Sequence, residues 1–394
     1  MNEKQYQIFD SDNHFYEQED AFTRYVDKKM QSRCIQWVEI NNKKKVLIGG
    51  VLNNYIKDPS FEFVPKPGAI YEYTYGFNPN NLSVRDIISS SMLPKNESFH
   101  SFYLKDKKNQ MKKMNIDKTI MYSTYGLIIE NFLYQDKEAL YTTLMAFSKW
   151  ILDEWGFADE SIFTAAPVSL VDPIQAIKHL EFLLENKIKI INISPTFVPR
   201  ENGGTSVSNS IYDDFWKIIN DNKIVVGLHE NDSWNIRFSK YWSNDITNSF
   251  NLDSEKLGIL ISNNNFNDFF AKLLIDNFFE KFPDVNFITS ESGSSWVEPL
   301  FQKLDLANKQ NKNIFKNDPI ETFKSNIFVS PFAHEDIFKL KDLIGYKNIL
   351  FSSDFPHVEG SCYPEIFISS IKNMNQEEIK SILYNNINNL INFY

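Results

Sequence analysis

The sequence predicts an α/β chain folded as a (β/α)8 TIM barrel with an insertion after its first strand. Three observations carry that expectation. Eight short apolar, β-rich runs recur, at 6–12, 118–123, 162–167, 188–194, 224–229, 285–290, 326–330 and 349–353. Most are separated by segments with apolar residues at three- and four-residue spacing, the period of an amphipathic helix. Such alternation reads as a parallel sheet built from strand–helix units. The competing doubly wound sheet loses support because neither G-x-G-x-x-G nor G-x-x-x-x-G-K-[ST] occurs.

Taken in order, the first run leads into Asp12-Asn13-His14. Residues 15–115 then separate it from the second run by far more than one helix. Within them, 60–81 is rich in Pro, Tyr, Phe and Gly and reads as an irregular ordered loop. This insertion is expected to cover the barrel mouth or to form a subunit contact. A helix is predicted over 172–186, with Asp172 as N-cap, Pro173 in the first turn, and Ile174, Ile177, Leu180 and Leu184 on one face. Further helices are expected over 266–282, 334–344 and 375–387, and a shorter insertion over 231–265. Residues 1–394 are read as one domain.

The 394 residues, 42% hydrophobic and 23% charged, suffice for a large core and argue against general disorder. A net charge of −10, from 41 basic and 51 acidic side chains, argues against a nucleic-acid partner. No apolar run approaches the ~18 residues of a membrane span. Two cysteines, Cys34 and Cys362, and no basic-then-apolar leader suit a reducing, cytoplasmic setting.

In a barrel of this class, functional residues gather where strands end and βα loops begin. Three of the runs finish in metal-ligand types: Asp12 and His14, then His229, then Asp354. Side chains alternate across a strand, so Asp10, Asp12 and His14 share a face. Two imidazoles and two carboxylates suit one Zn²⁺, with Mn²⁺ or Fe²⁺ as alternatives because carboxylates favour harder ions. His100, His179 and His334 fall in helix or loop positions and are read as surface or capping residues.

The chain resembles the amidohydrolase-related (amidohydrolase 2) family of the amidohydrolase superfamily. The likeness runs from Asp10-Ser11-Asp12-Asn13-His14-Phe15-Tyr16-Glu17, through Phe279-Glu280-Lys281-Phe282-Pro283 and Ser290-Glu291-Ser292-Gly293-Ser294-Ser295-Trp296. It continues in Asn326-Ile327-Phe328-Val329-Ser330-Pro331-Phe332 and ends in Ser352-Ser353-Asp354-Phe355-Pro356-His357-Val358-Glu359-Gly360. The resemblance implies the barrel, a metal at its C-terminal mouth, and kinship with aminocarboxymuconate-semialdehyde decarboxylase-like enzymes. It also implies a homodimer. The superfamily's H-x-H appears here as Asp12-x-His14, and Glu291 stands where relatives commonly have a sixth-strand His. The carboxylated Lys of binuclear relatives has no counterpart at Ile193-Ser194-Pro195, so one metal is expected.

The leading expectation is therefore a mononuclear metal-dependent decarboxylase, a carbon–carbon lyase acting on a small organic or aromatic acid. The alternatives are a hydrolase of an amide, ester or lactone, and an inactive barrel that binds a ligand or partner. Glu291, Asp354 and His357 are the expected acid/base residues. Arg200, Arg237 and Trp234, after the fourth and fifth strands, are the expected substrate contacts, with either Arg gripping an anion.

Overall fold

The computed structural model describes residues 6–53, 58–74, 77–201, 203–231 and 264–391. The first strand, Phe9–Phe15, pairs in parallel with the second, Lys118–Ser123, and the second with Ile162–Thr164. After Ala165 the same third run re-enters a sheet as Ala166–Pro167 and pairs with the fourth strand, Ile190–Ile193. The fifth, Val225–His229, sixth, Phe287–Ser290, and seventh, Ile327–Val329, follow in parallel register.

The expected eighth strand is not a regular strand. Leu350 donates to the Val329 carbonyl on one side, while Phe351 and Phe355 accept from Ser11 and His14 on the other. Those bonds close the ring. Two donors that would extend a ladder are diverted: the Phe351 N–H to Ile382 and the Ser353 N–H to the Asp10 carboxylate. The segment is a bridge between strands, and it carries Asp354 out to the mouth.

Strand alternation sorts the apolar residues into two cores. Phe9, Ile120, Tyr122, Phe163, Ala165, Ile190, Val225, Ile288 and Leu350 fill the barrel interior. Their strand neighbours Met121, Ile191, Val226 and Phe287 belong to the larger core. Period two thus turns one set inward and the other toward the surrounding helices. Ile387 and Ile391, from the C-terminal helical segment, join the interior cluster.

The helices begin where local chemistry predicts. Asp172 accepts from the Ile174 and Gln175 amides and starts Pro173–Glu185. Asn375 and Glu378 form a capping box at the last helical segment. The helix expected over 266–282 is split into Asn264–Ile275 and Phe278–Lys281, because Asn277 adopts φ 53°. The helix expected from 334 begins at Ile337, since Asp336 caps it by accepting from Lys339.

Between the first two strands lie a three-stranded antiparallel sheet, Ile35–Ile40, Lys43–Ile48 and Val51–Asn53, and a two-stranded one, Phe63–Pro65 with Met92–Pro94. The second sheet gives part of the expected loop regular structure. Gly68 and Ile70 donate to the carbonyls of His357 and Val358, so this region packs on the loop that follows Asp354. Its last helix, Leu104–Lys113, leads into the second strand.

Candidate metal centre

Asp12, His14, His229 and Asp354, more than 200 residues apart at the extremes, converge at the strand ends. All four are buried. His14 Nε2 lies 2.9 Å from His229 Nε2, 3.4 Å from Asp12 Oδ1 and 3.3 Å from Asp354 Oδ1. His229 Nε2 lies 3.5 Å from Asp12 Oδ1. Asp10 is not in this group, against the alternation expected on the first strand. The register breaks between Asp10 and Asn13. The Asp10 carboxylate instead accepts from Asn13 Nδ2 at 2.9 Å, Ser353 Oγ at 2.5 Å and the Ser353 amide at 2.9 Å.

The backbone orients these side chains. His229 Nδ1–H donates to the Glu230 carbonyl at 2.8 Å, which leaves Nε2 facing His14. Asp354 and Glu291 each have φ 53°, an uncommon conformation for non-glycine residues that concentrates at functional sites. Both turn the chain immediately after barrel segments. Gly360 lets the chain fold back on Asp354, because a Cβ there would stand 2.2 Å from the Asp354 carbonyl oxygen.

Beneath the cluster lies Tyr122, a residue the sequence does not single out. Its ring centroid is 5.0 Å from that of His229 and 6.0 Å from that of His14. Gly227 makes the slot, since a Cβ would come within 2.7 Å of the Tyr122 hydroxyl. Ser290 Oγ donates to that hydroxyl at 3.3 Å.

The donor set fits a divalent cation. Both Asp12 oxygens are buried and meet no hydrogen-bond donor in bonding geometry. Two imidazole nitrogens 2.9 Å apart need a proton or a cation between them. Donors about 2.1 Å from one centre stand about 3.0–3.4 Å apart in octahedral and tetrahedral sets, close to the separations here.

Without an ion, burial disfavours charge on Asp12 and on His229. Their mutual attraction reverses this, holding Asp12 below the usual carboxylate range and raising His229. His357 behaves similarly. Burial opposes its charge, but Asp354 Oδ1, 2.8 Å from its Nδ1, raises it to about 9. Its ring stacks on His14 with centroids 3.9 Å apart. His14 is pushed down, by burial and then by the charge of His357.

Glu291 Oε2 lies 3.5 Å from His229 Nε2. The side chains of Glu291 and His357 are 22% and 17% exposed, so both stand between the buried cluster and the mouth. Arg200 donates to the Val171 carbonyl at 2.8 Å and to the Tyr212 hydroxyl. Arg237 and Trp234 lie outside the described residues. His334 is exposed, as expected. His179, expected as a surface or capping residue, is instead buried in mid-helix, with Nε2 2.8 Å from Ser148 Oγ. It lies on the face of Pro173–Glu185 that carries Ala176 and Leu183 inward.

The ring of parallel segments with a mixed imidazole–carboxylate cluster at its mouth defines a (β/α)8 barrel of the metal-site class. Residues 132–393 match the family model described as Amidohydrolase, and the chain belongs to that family. An amidohydrolase structure from Mycobacterium avium subsp. paratuberculosis K-10 is 26% identical, with TM-score 0.91 over 98% of this chain and 100% of that one. A dihydroxybenzoic acid decarboxylase from Polaromonas sp. JS666, solved with manganese and 2-nitroresorcinol, is 14% identical with TM-score 0.57, covering 98% and 97%. A 5-carboxyvanillate decarboxylase from Novosphingobium aromaticivorans DSM 12444, solved with manganese and a nitrobenzoic acid, is 13% identical with TM-score 0.57, covering 99% and 97%. The last two likenesses speak to the fold. No curated protein sequence matches significantly.

Proposed function

We propose that Asp12, His14, His229 and Asp354 hold one divalent ion and that the protein is a non-oxidative decarboxylase of a small organic or aromatic acid. The observation that carries this reading is the pair of undonated, buried Asp12 oxygens beside two facing imidazole nitrogens. Fold relatives named as aromatic-acid decarboxylases, solved with manganese, support the reaction class. The donor set suits Zn²⁺ and equally admits Mn²⁺.

A divalent ion there would anchor and polarise an anionic oxygen of the substrate. The chain's own residues do the rest. The buried ligand set and Tyr122 form the floor of the site. His357 and Glu291, the partly exposed titratable groups next to it, are placed to reach a bound acid. As the carbon–carboxylate bond breaks and CO₂ leaves, one of them delivers a proton to the carbon that carried it. Asp354 holds the His357 ring by its Nδ1 and so sets which nitrogen faces outward. Arg200, Arg237 and Trp234 are proposed as substrate contacts; unchanged KM in both Arg200→Lys and Arg237→Lys would remove the arginines from that role.

The test is elemental analysis of the purified protein, followed by a panel of hydroxylated aromatic acids assayed for CO₂. One equivalent of metal, lost in His229→Ala, with CO₂ release is expected. Acid release from amides, esters or lactones without CO₂ would make the protein a hydrolase. A native protein without metal would overturn both reactions.

A further inference from the structure

The helix Leu104–Lys113 carries Lys107 to a place where its ammonium group is wholly enclosed. Lysine is almost never fully buried unless its charge is used. Nζ donates to Asn13 Oδ1 and to the His14 carbonyl, each at 2.8 Å, and sits 5.0 Å above the Phe355 ring. Asn13 in turn donates from Nδ2 to Asp10 Oδ2, at 2.9 Å. Asp10 accepts from both the amide and the hydroxyl of Ser353.

The contacts fall on a proposed ligand, His14, or beside one. Asn13 lies between Asp12 and His14, and Ser353 precedes Asp354. The Asp354 amide donates to the Asp12 carbonyl at 2.9 Å, so the two ligand-bearing segments are also joined directly. A lysine and a carboxylate buried together and linked through an amide side chain have a large desolvation cost and are a poor source of net stability. Their position is better explained by geometry: they lock two distant segments into one coordination frame.

We infer that Lys107, acting through Asn13, Asp10 and Ser353, is a positioning residue that sets the affinity and geometry of the metal centre. The region between the first two strands thereby contributes to the site from behind as well as packing at its mouth. This rests on the four-ligand reading proposed above. Groups that orient metal ligands are typically worth about 10–100-fold in affinity.

The experiment is calorimetric titration of metal-stripped protein with Mn²⁺, for wild type, His229→Ala, Lys107→Met and Ser353→Ala. Thermal unfolding of each stripped protein and the visible spectrum of each Co²⁺ form are recorded in parallel. Wild type binding one equivalent, with binding abolished in His229→Ala, establishes the ligand set. Then Lys107→Met and Ser353→Ala should each weaken Mn²⁺ by about 10–100-fold and shift the Co²⁺ bands, beyond any change in melting temperature. If wild type binds no metal, the ligand reading itself fails. If wild type binds and both variants keep its affinity and spectrum, the positioning role is overturned while the ligand set stands. Should Lys107→Met not fold, Ser353→Ala, which removes one oxygen, decides alone.

Discussion

Gly227 and Tyr122 show how much of the site depends on room left free. The fifth strand places His229 two residues beyond Gly227 on the same inward face, and Tyr122 fills the space that a methyl group would occupy. Gly227→Ala is expected to destabilise the fold by about 1–3 kcal/mol, the usual cost of overpacking, and to push Tyr122 against His229. Urea unfolding measures the first effect and Mn²⁺ titration the second; a variant identical to wild type in both would remove Tyr122 as the floor. His179 gives a pH prediction away from the metal. Burial lowers its pKa from 6.5 to about 4. Between those values the unfolded chain binds a proton that the folded chain does not. The neutral ring therefore contributes fully above pH 6.5, and its contribution falls as pH drops toward 4, by on the order of 3 kcal/mol. Urea midpoints at pH 7 and 4.5 should converge less in wild type than in His179→Gln; equal pH slopes would contradict this.

At the scale of single elements, helix starts follow from capping chemistry and strand ends from competition for donors. Asp172→Ala removes the acceptor for two amides at the start of Pro173–Glu185. It should cost about 1 kcal/mol, seen as a lower denaturation midpoint, with metal stoichiometry unchanged. Loss of metal in that variant would mean that this helix is coupled to the site. The eighth barrel segment shows the reverse case. Its composition is that of a strand, yet Asp10 and the C-terminal helical region take its amides, so it bridges its neighbours without a regular ladder.

Across the whole molecule, the proposed metal site and the ring are coupled. The proposed ligands come from the first, fifth and eighth segments, so an ion held there would draw opposite sides of the barrel together. Binding to the folded state alone stabilises by about 2.7 kcal/mol at a hundredfold excess over Kd. Added Mn²⁺ is thus expected to raise the melting temperature of stripped wild type and to leave that of His229→Ala unmoved; an equal rise in both would place the ion elsewhere. At the opposite end, Ile387 joins the interior cluster. Ile387→Ala should cost about 2–5 kcal/mol by calorimetry without altering metal affinity. Among the described residues, no helix is long and apolar enough to cross a membrane.

The sequence by itself determined the barrel and the candidate ligand set. Eight apolar runs with helical spacers, and strand ends finishing in Asp12, His14, His229 and Asp354, are local patterns that periodicity and residue chemistry make readable. Tertiary structure decided what depends on partners distant in the chain. Asp10 left the metal face because a register break turned it toward Ser353, 343 residues away. His179 became buried because its helix packs that face inward. Lys107 looks like an ordinary helix lysine until the fold brings His14 and Asn13 to it. Spacing along a chain encodes which way a side chain points, whereas burial and hydrogen-bond competition arise only when remote segments meet.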